Sequence, residues 1–254
     1  MKNALRILAF VMAAAALFSF SACSSVDENN SEVYVIYSDD KFAPFEYYDD
    51  DAEAYIGVDM ELLAAIAEDQ GFKYEVRNEG FDAAMGAVQA GQADGMIAAM
   101  TINEKRKATF DFSDGYFENG SVLVVAEDSE IASLEDLNGK VVAAKQGTTS
   151  TIYAESIKEQ YGFTISYFES SPTMYQAVMG GSADACFEDF AAIGWTIKND
   201  GASLKIIGDV VNPGYYGFAV KKGQNAELLE MFNAGLKNVK ASGKYDEILE
   251  RYGY

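Results

Sequence analysis

The stretch Ala87-Val88-Gln89-Ala90-Gly91-Gln92-Ala93-Asp94-Gly95-Met96-Ile97-Ala98 returns ninety residues later as Ala177-Val178-Met179-Gly180-Gly181-Ser182-Ala183-Asp184-Ala185-Cys186-Phe187-Glu188, identical at five of twelve positions. Each copy reads as the end of a helix, a glycine stop, and an Ala-Asp pair leading into a short apolar strand. Val33-Tyr34-Val35-Ile36-Tyr37 and Val141-Val142-Ala143-Ala144-Lys145 form a second matched pair, strands that run into polar loops and then helices. A chain that builds one α/β unit twice is expected to form two similar lobes with a cleft between them.

Working outward from the first copy, the pattern predicts strand 33–37, a helix near 58–70 stopped by Gly71, strand 72–76, helix 81–90 stopped by Gly91, and strand 95–99. This is an α/β lobe with a largely parallel sheet. Residues 101–110 read as a polar turn with a short helix, and 116–125 as an extended run, the first crossing between lobes. The second lobe repeats the scheme: a Ser133-led helical turn, strand 141–145, loop 146–150, a helix to about 160, strand 164–168, helix 171–180 opened by Ser171-Pro172, strand 185–188, helix 190–199 and strand 204–207. Residues 217–220 form the return crossing, and helices near 226–241 and 244–252 close the chain against the first lobe. Lobe 1 is therefore expected at 32–116 with 218–254 and lobe 2 at 117–217, joined by two extended crossings near 116–121 and 214–218.

Residues 1–22 read as a targeting segment, with Lys2 and Arg6 at the charged start and an apolar run, 7–20, too short for a comfortable membrane span. Phe20-Ser21-Ala22-Cys23 resembles a bacterial lipoprotein cleavage box, with Phe20 where leucine is usual. The resemblance implies that Cys23 carries a lipid and that 24–31 is a flexible polar tether. The protein is then expected at the extracytoplasmic face of the bacterial cell membrane, touching it only through the anchor. No later run approaches a membrane span.

The formal net charge is −21, more negative by two once Lys2 and Arg6 are removed. Such a surface repels nucleic acid and anionic lipid. There is no histidine, which removes Ser-His and Cys-His nucleophile pairs and histidine metal sites. Cys186, the only cysteine besides Cys23, falls in an apolar strand and reads as core, so neither a disulfide framework nor a thiolate cluster is available. No metal and no cofactor is expected, and carboxylate chemistry is the only enzymatic route left.

In open α/β sheets ligands sit beyond the carboxyl ends of the strands. After 33–37 come Asp39 and Phe42; after 95–99, Thr101 and then Arg106; after 141–145, Gln146-Gly147-Thr148-Thr149; after 185–188, Asp189. This set fits a zwitterion. Arg106 can hold a carboxylate with two parallel bonds, amide N–H groups of Gly147 to Thr149 at a helix start can complete the anion site, Asp189 can hold an ammonium, and Phe42 and Phe81 can pack on an aliphatic stem. Taken singly the signals are weaker. Arg106 in Glu-Lys-Arg-Lys reads as a solvated helix face, Asp189 as a cap for the helix starting at Phe190, and Phe42, Phe45, Tyr47, Phe81 and Trp195 as packing.

Over residues 32–254 the chain resembles the bacterial extracellular solute-binding proteins for polar amino acids, the glutamine-binding proteins most of all. The residues that carry this are Phe42-Ala43-Pro44-Phe45-Glu46-Tyr47, Tyr55-Ile56-Gly57-Val58-Asp59-Met60-Glu61-Leu62, Gly91-Gln92-Ala93-Asp94, Met100-Thr101-Ile102-Asn103-Glu104-Lys105-Arg106-Lys107, Phe110-Asp111-Phe112-Ser113 and Lys145-Gln146-Gly147-Thr148. The resemblance implies a two-lobed periplasmic-binding-protein-like fold of type II. It implies that Arg106, Thr101 and the backbone at Ala99 hold the α-carboxylate with Thr149, and that Asp189 holds the α-amine. Phe42 and Phe81 sandwich the ligand, and Asp39 and Lys145 reach its side-chain end. Ala99 stands where glycine or serine is usual, and Glu188 where glutamine-binding proteins carry histidine.

A side-chain amide offers an acceptor to Lys145 and donors to Asp39, so glutamine satisfies both, whereas glutamate meets Asp39 and a cation meets Lys145. Glu188 can take the second amide N–H or draw the preference towards lysine or arginine. The expected function is a monomeric, lipid-anchored binding protein of an ABC importer, not an enzyme, that closes on glutamine and presents it to a membrane permease. The alternatives are a binding protein for arginine, lysine or another polar amino acid, a sensory module for a membrane receptor, and a carboxyl-dependent dehydratase of prephenate or arogenate on the same scaffold.

Overall fold

The computed structural model describes residues 33–254; the targeting segment, Cys23 and the tether lie outside the described residues. The chain runs β1 (Val33–Ser38), β2 (Lys41–Phe42), β3 (Glu46–Asp49), β4 (Ala54–Ile56), α1 (Val58–Gln70), β5 (Lys73–Asn78), α2 (Phe81–Ala90), β6 (Gly95–Met96), α3 (Glu104–Lys107), β7 (Phe110–Phe112) and β8 (Phe117–Ala126). After a 3-10 turn at Leu134–Leu137 it continues as β9 (Val141–Lys145), α4 (Thr149–Tyr161), β10 (Thr164–Phe168), α5 (Ser171–Met179), β11 (Ala185–Asp189), α6 (Phe190–Asn199), β12 (Leu204–Tyr216), β13 (Ala219–Lys221), α7 (Ala226–Ala241) and α8 (Lys244–Arg251).

Two five-stranded sheets result, ordered β5-β1-β6-β13-β7 and β10-β9-β11-β8-β12. Both are largely parallel, as the sequence pattern suggested. In each, four strands run the same way, with β1 central to one parallel set of three and β9 to the other, and a single strand, β13 or β8, runs against them between that set and the edge strand. The reversed strands β8 and β13 are those that follow the crossings, where the chain enters each sheet from the opposite end. Helices cover both faces of each sheet. On the first, α1, α7 and α8 bury Leu62, Ile66, Phe232, Val239 and Ile248, while α2 buries Ala84 and Val88 on the other side. On the second, α5 and α6 bury Met174, Val178 and Ile193, opposite Leu137, Ala154 and Phe163. Each lobe thus has its own core.

The repeated sequence has a structural reason. The Asp94 amide donates to Val35 O and its carboxylate accepts from Val35 N, each at 2.8 Å. Asp184 does the same to Val141, at 2.8 and 2.9 Å. In both lobes one aspartate pins the third parallel strand against the first. The preceding turn is also shared: Gly91 and Gly181 sit at φ +74° and +73°, and the next amide returns to Ala87 O and Ala177 O. Left-handed backbone at that place is what glycine supplies.

Three expected strands change length. The strand expected at 95–99 pairs only at Gly95–Met96, because the chain turns out of the sheet at Ala99, where φ is +44°. The run read as a crossing at 116–125 is a full strand, β8, inside the second sheet. The strand expected at 204–207 continues to Tyr216, passing Gly208, Pro213 and Gly214 with register shifts between Ile207, Val211 and Gly214. The small antiparallel sheet β2-β3-β4 had no clear sequence signal. The chain passes between sheets at 113–116 and 217–218, side by side: Ser113 N donates to Phe218 O and Tyr116 N to Tyr216 O, both at 2.9 Å.

Candidate functional site

The carboxyl ends of β1 and β6 face those of β9 and β11 across a small cavity of about 20 Å³. Its lining is Phe42, Phe81, Ala98, Ala99, Thr101 and Arg106 from one side, and Lys145, Thr148, Thr149, Glu188 and Asp189 from the other. Nine of the ten residues expected in the site line it. The tenth, Asp39, stands behind Lys145 and reaches the cavity only through an ion pair with the Lys145 ammonium, the two side chains being 1% and 3% exposed.

Arg106 is not a solvated helix residue. Asn103 caps α3 by accepting from Arg106 N at 2.8 Å, and the short helix then turns the guanidinium inward, where it is 6% exposed. Its Nη1 donates to Thr101 O at 2.6 Å and its Nη2 to Gly147 O at 3.0 Å, and it lies over the Phe81 ring at 5.2 Å. Burial lowers its pKa to about 10, which leaves it charged at neutral pH. Gly147 therefore meets Arg106 by its carbonyl, where the sequence suggested an anion-binding amide. Thr148 is the cap of α4, accepting from Thr151 N at 3.1 Å. Thr149 Oγ1 next to it is buried with no hydrogen-bond partner.

Asp189 occupies the cap position of α6 but makes no side-chain cap bond. Its carboxylate instead accepts from Ser150 Oγ at 3.0 Å and Tyr216 OH at 2.7 Å. Lys145 ends β9 with its ammonium over the Phe42 ring at 4.6 Å and the Phe81 ring at 5.7 Å. Burial works to lower the Lys145 pKa, but Asp39 and Glu188 outweigh it and raise the value. Glu188 lines the cavity with both oxygens engaged: Ser171 Oγ and Tyr175 OH donate to Oε2 at 2.7 and 2.9 Å, and Asp189 N to Oε1 at 2.8 Å.

The Ala99 amide, expected on a ligand carboxylate, donates instead to Asp59 Oδ2 at 2.7 Å. Asp59 also accepts from Tyr116 OH at 2.8 Å, which ties Ala99 to the first crossing. Both Glu46 oxygens and Asp59 Oδ1 are buried without a conventional donor, and the two carboxyls lie within hydrogen-bonding reach of each other. Two carboxylates cannot bond unless one carries a proton. Burial, then the neighbouring Asp59, hold Glu46 well above the usual range; burial raises Asp59 to about 7. Glu46 and Asp59 had been legible only as pieces of a family pattern, and nothing local marked them as partners. Among the described residues no cluster of metal-type ligands occurs.

The family described as bacterial extracellular solute-binding proteins, family 3, matches residues 34–254. A protein of Neisseria gonorrhoeae named a probable histidine-binding protein is 31% identical, covering 98% of this chain and 96% of its own. The ABC transporter glutamine-binding protein GlnH of Bacillus subtilis (strain 168) is 37% identical over 65% of this chain and 59% of its own. The solved structure of an ancestral arginine-binding protein bound to glutamine is 37% identical, covers 87% of this chain and 97% of its own, and superposes with a TM-score of 0.79.

Proposed function

This chain belongs to family 3 of the bacterial extracellular solute-binding proteins, amino-acid-binding components of ABC transporters, and from that premise we propose that it captures glutamine between its lobes. The observation that carries the reading is the polarity of the cavity: an arginine and an unpartnered Thr149 hydroxyl for a carboxylate, Asp189 for an ammonium, and Phe42 and Phe81 for the stem between. Thr101 completes the wall beside Arg106. At the far end the Lys145 ammonium retains hydrogens for a side-chain carbonyl oxygen, which a cationic side chain lacks. Histidine-, glutamine- and arginine-binding relatives surround the chain, so the choice among them rests on these groups.

Capture works by closure. The contacts of Lys145 with Asp39 and of Arg106 with Gly147 join the lobes, and a ligand touching both sides adds binding energy only when they are shut. The paired segments 113–116 and 217–218 serve as the hinge, between lobe 1 at 32–116 with 218–254 and lobe 2 at 117–217. A lipid on Cys23 would keep the protein near its permease. Among the described residues no helix is long and apolar enough to cross a membrane.

The test is calorimetric titration of the purified protein, unfolded and refolded to remove carried-over amino acid, against glutamine, glutamate, asparagine, arginine, lysine and histidine. Glutamine at micromolar Kd or tighter, about 8 kcal/mol or more, with glutamate at least tenfold weaker, is expected. Failure of every amino acid to bind would overturn the reading.

A further inference from the structure

We propose that Glu188 sets the charge class of the ligand: carrying its proton, it lets the cavity accept an amino acid with a neutral side chain, and ionised, it calls for a cationic one. This rests on the preceding reading, in which Arg106 faces the ligand carboxylate and Asp189 its ammonium. Those two charges are then matched by the ligand, and Asp39 and Lys145 match each other. Glu188 is the remaining ionisable group of the lining, 2% exposed, and the one opposite charge that acts on it, Lys145, is already paired with Asp39.

The groups that face Glu188 bear this out. From its own strand come Asp189, the next residue, and Cys186; from β9, Lys145, already held by Asp39; from α5, Ser171 and Tyr175; and from β12, Tyr216, whose hydroxyl donates to Asp189. Every hydrogen bond it receives comes from a neutral donor. These donors fix the carboxyl in place but do not neutralise it. An unmatched carboxylate out of water takes up a proton or recruits a cation. Burial, then the Asp189 charge, push the Glu188 carboxyl up to about 7, which puts both states within reach near neutrality.

A proton and a cationic side chain therefore compete for the same carboxylate. Glutamine binding draws a proton onto Glu188 at alkaline pH, and arginine binding expels one at acid pH. Linkage of a single proton changes affinity by up to tenfold per pH unit, so the ratio of arginine to glutamine affinity should rise by at least about tenfold from pH 6 to pH 8.5.

The experiment titrates the purified protein calorimetrically with glutamine and with arginine at pH 6 and 8.5, each in two buffers of different ionisation enthalpy, and repeats the set with Glu188→Gln. The wild type is expected to show the ratio change and proton uptake with glutamine at pH 8.5. Glu188→Gln should bind glutamine with the same affinity at both pH values and arginine at least tenfold more weakly than the wild type does at pH 8.5. A wild-type ratio constant within threefold, binding without proton exchange, or a variant that keeps the wild-type pH profile would overturn the proposal. The wild-type ratio decides the matter even if the variant does not fold. No binding of either amino acid at either pH would overturn the capture reading, and this one with it.

Discussion

Arg106 shows how far a residue's role can depart from its local sequence. Flanked by Glu104, Lys105 and Lys107, it has the surroundings of a solvated helix face, yet it is buried, stacked on Phe81 and bonded to carbonyls on both sides of the cleft. Asp189 departs in the same way, standing at a helix start and capping nothing. Both were found through the positions that follow strand ends, a rule about sheets and not about neighbouring residues. Arg106→Ala should weaken amino-acid binding by roughly 2–5 kcal/mol, the range seen when one partner of a buried charge pair is removed. Titration calorimetry checks this, and a loss under threefold would exclude Arg106 from the site.

Among the elements, helices stopped by glycine were the most legible. Gly71 and Gly91 end α1 and α2 in left-handed backbone where the sequence placed them. The Asp94 and Asp184 turns were visible as a repeat, but their purpose appears only when each carboxylate is seen closing on the first strand of its lobe. Asp94→Ala and Asp184→Ala should each destabilise the protein by about 1–2 kcal/mol, because each leaves a partly buried strand amide without an acceptor. Urea midpoints measure both, and a shift for one without the other would show that the two turns are not equivalent. Strand β12 was the least legible element, since its glycines, proline and left-handed Asn212 carry turn chemistry. The continuous partner β8 holds it extended through two register shifts.

For the whole molecule the lobes are joined by contacts that opening must break. Trp195, the single tryptophan of the chain, lies on α6 with its ring 5.7 Å from that of Tyr47 on β3 in the other lobe. Adding ligand to the open, ligand-free protein should shift tryptophan emission, and Tyr47→Ala should remove most of that shift. Unchanged emission at saturating ligand would argue against closure across this contact. Stability should also respond to pH through the buried acids Glu46, Asp59 and Glu188, whose carboxyls are all raised, chiefly by burial. Below the ordinary carboxyl values, folded and unfolded chains are both protonated. Above those values the folded chain keeps protons that the unfolded chain has lost, up to about 7 for Asp59 and Glu188, so stability falls as pH rises, by up to about 1.4 kcal/mol per unit for each proton held. The ligand-free urea midpoint should be lower at pH 8 than at pH 5, and less so in Glu46→Gln; an unchanged or higher midpoint at pH 8 would show that these acids are not protonated in the fold.

The sequence by itself determined the two α/β units, most helix limits, the exclusion of histidine and thiolate chemistry, and nearly all residues of the cavity wall. Periodicity, glycine stops and strand-end positions are local properties that a single chain displays. Only the tertiary structure decided that Asp39 lies behind Lys145, that the Ala99 amide belongs to Asp59, that Glu46 and Asp59 are buried within reach of each other, and that Glu188 has near it only a Lys145 already paired with Asp39. Each of these depends on which polar groups, distant along the chain, are buried together. Desolvation then forces them to pair, protonate or await a ligand, and no local pattern carries that information.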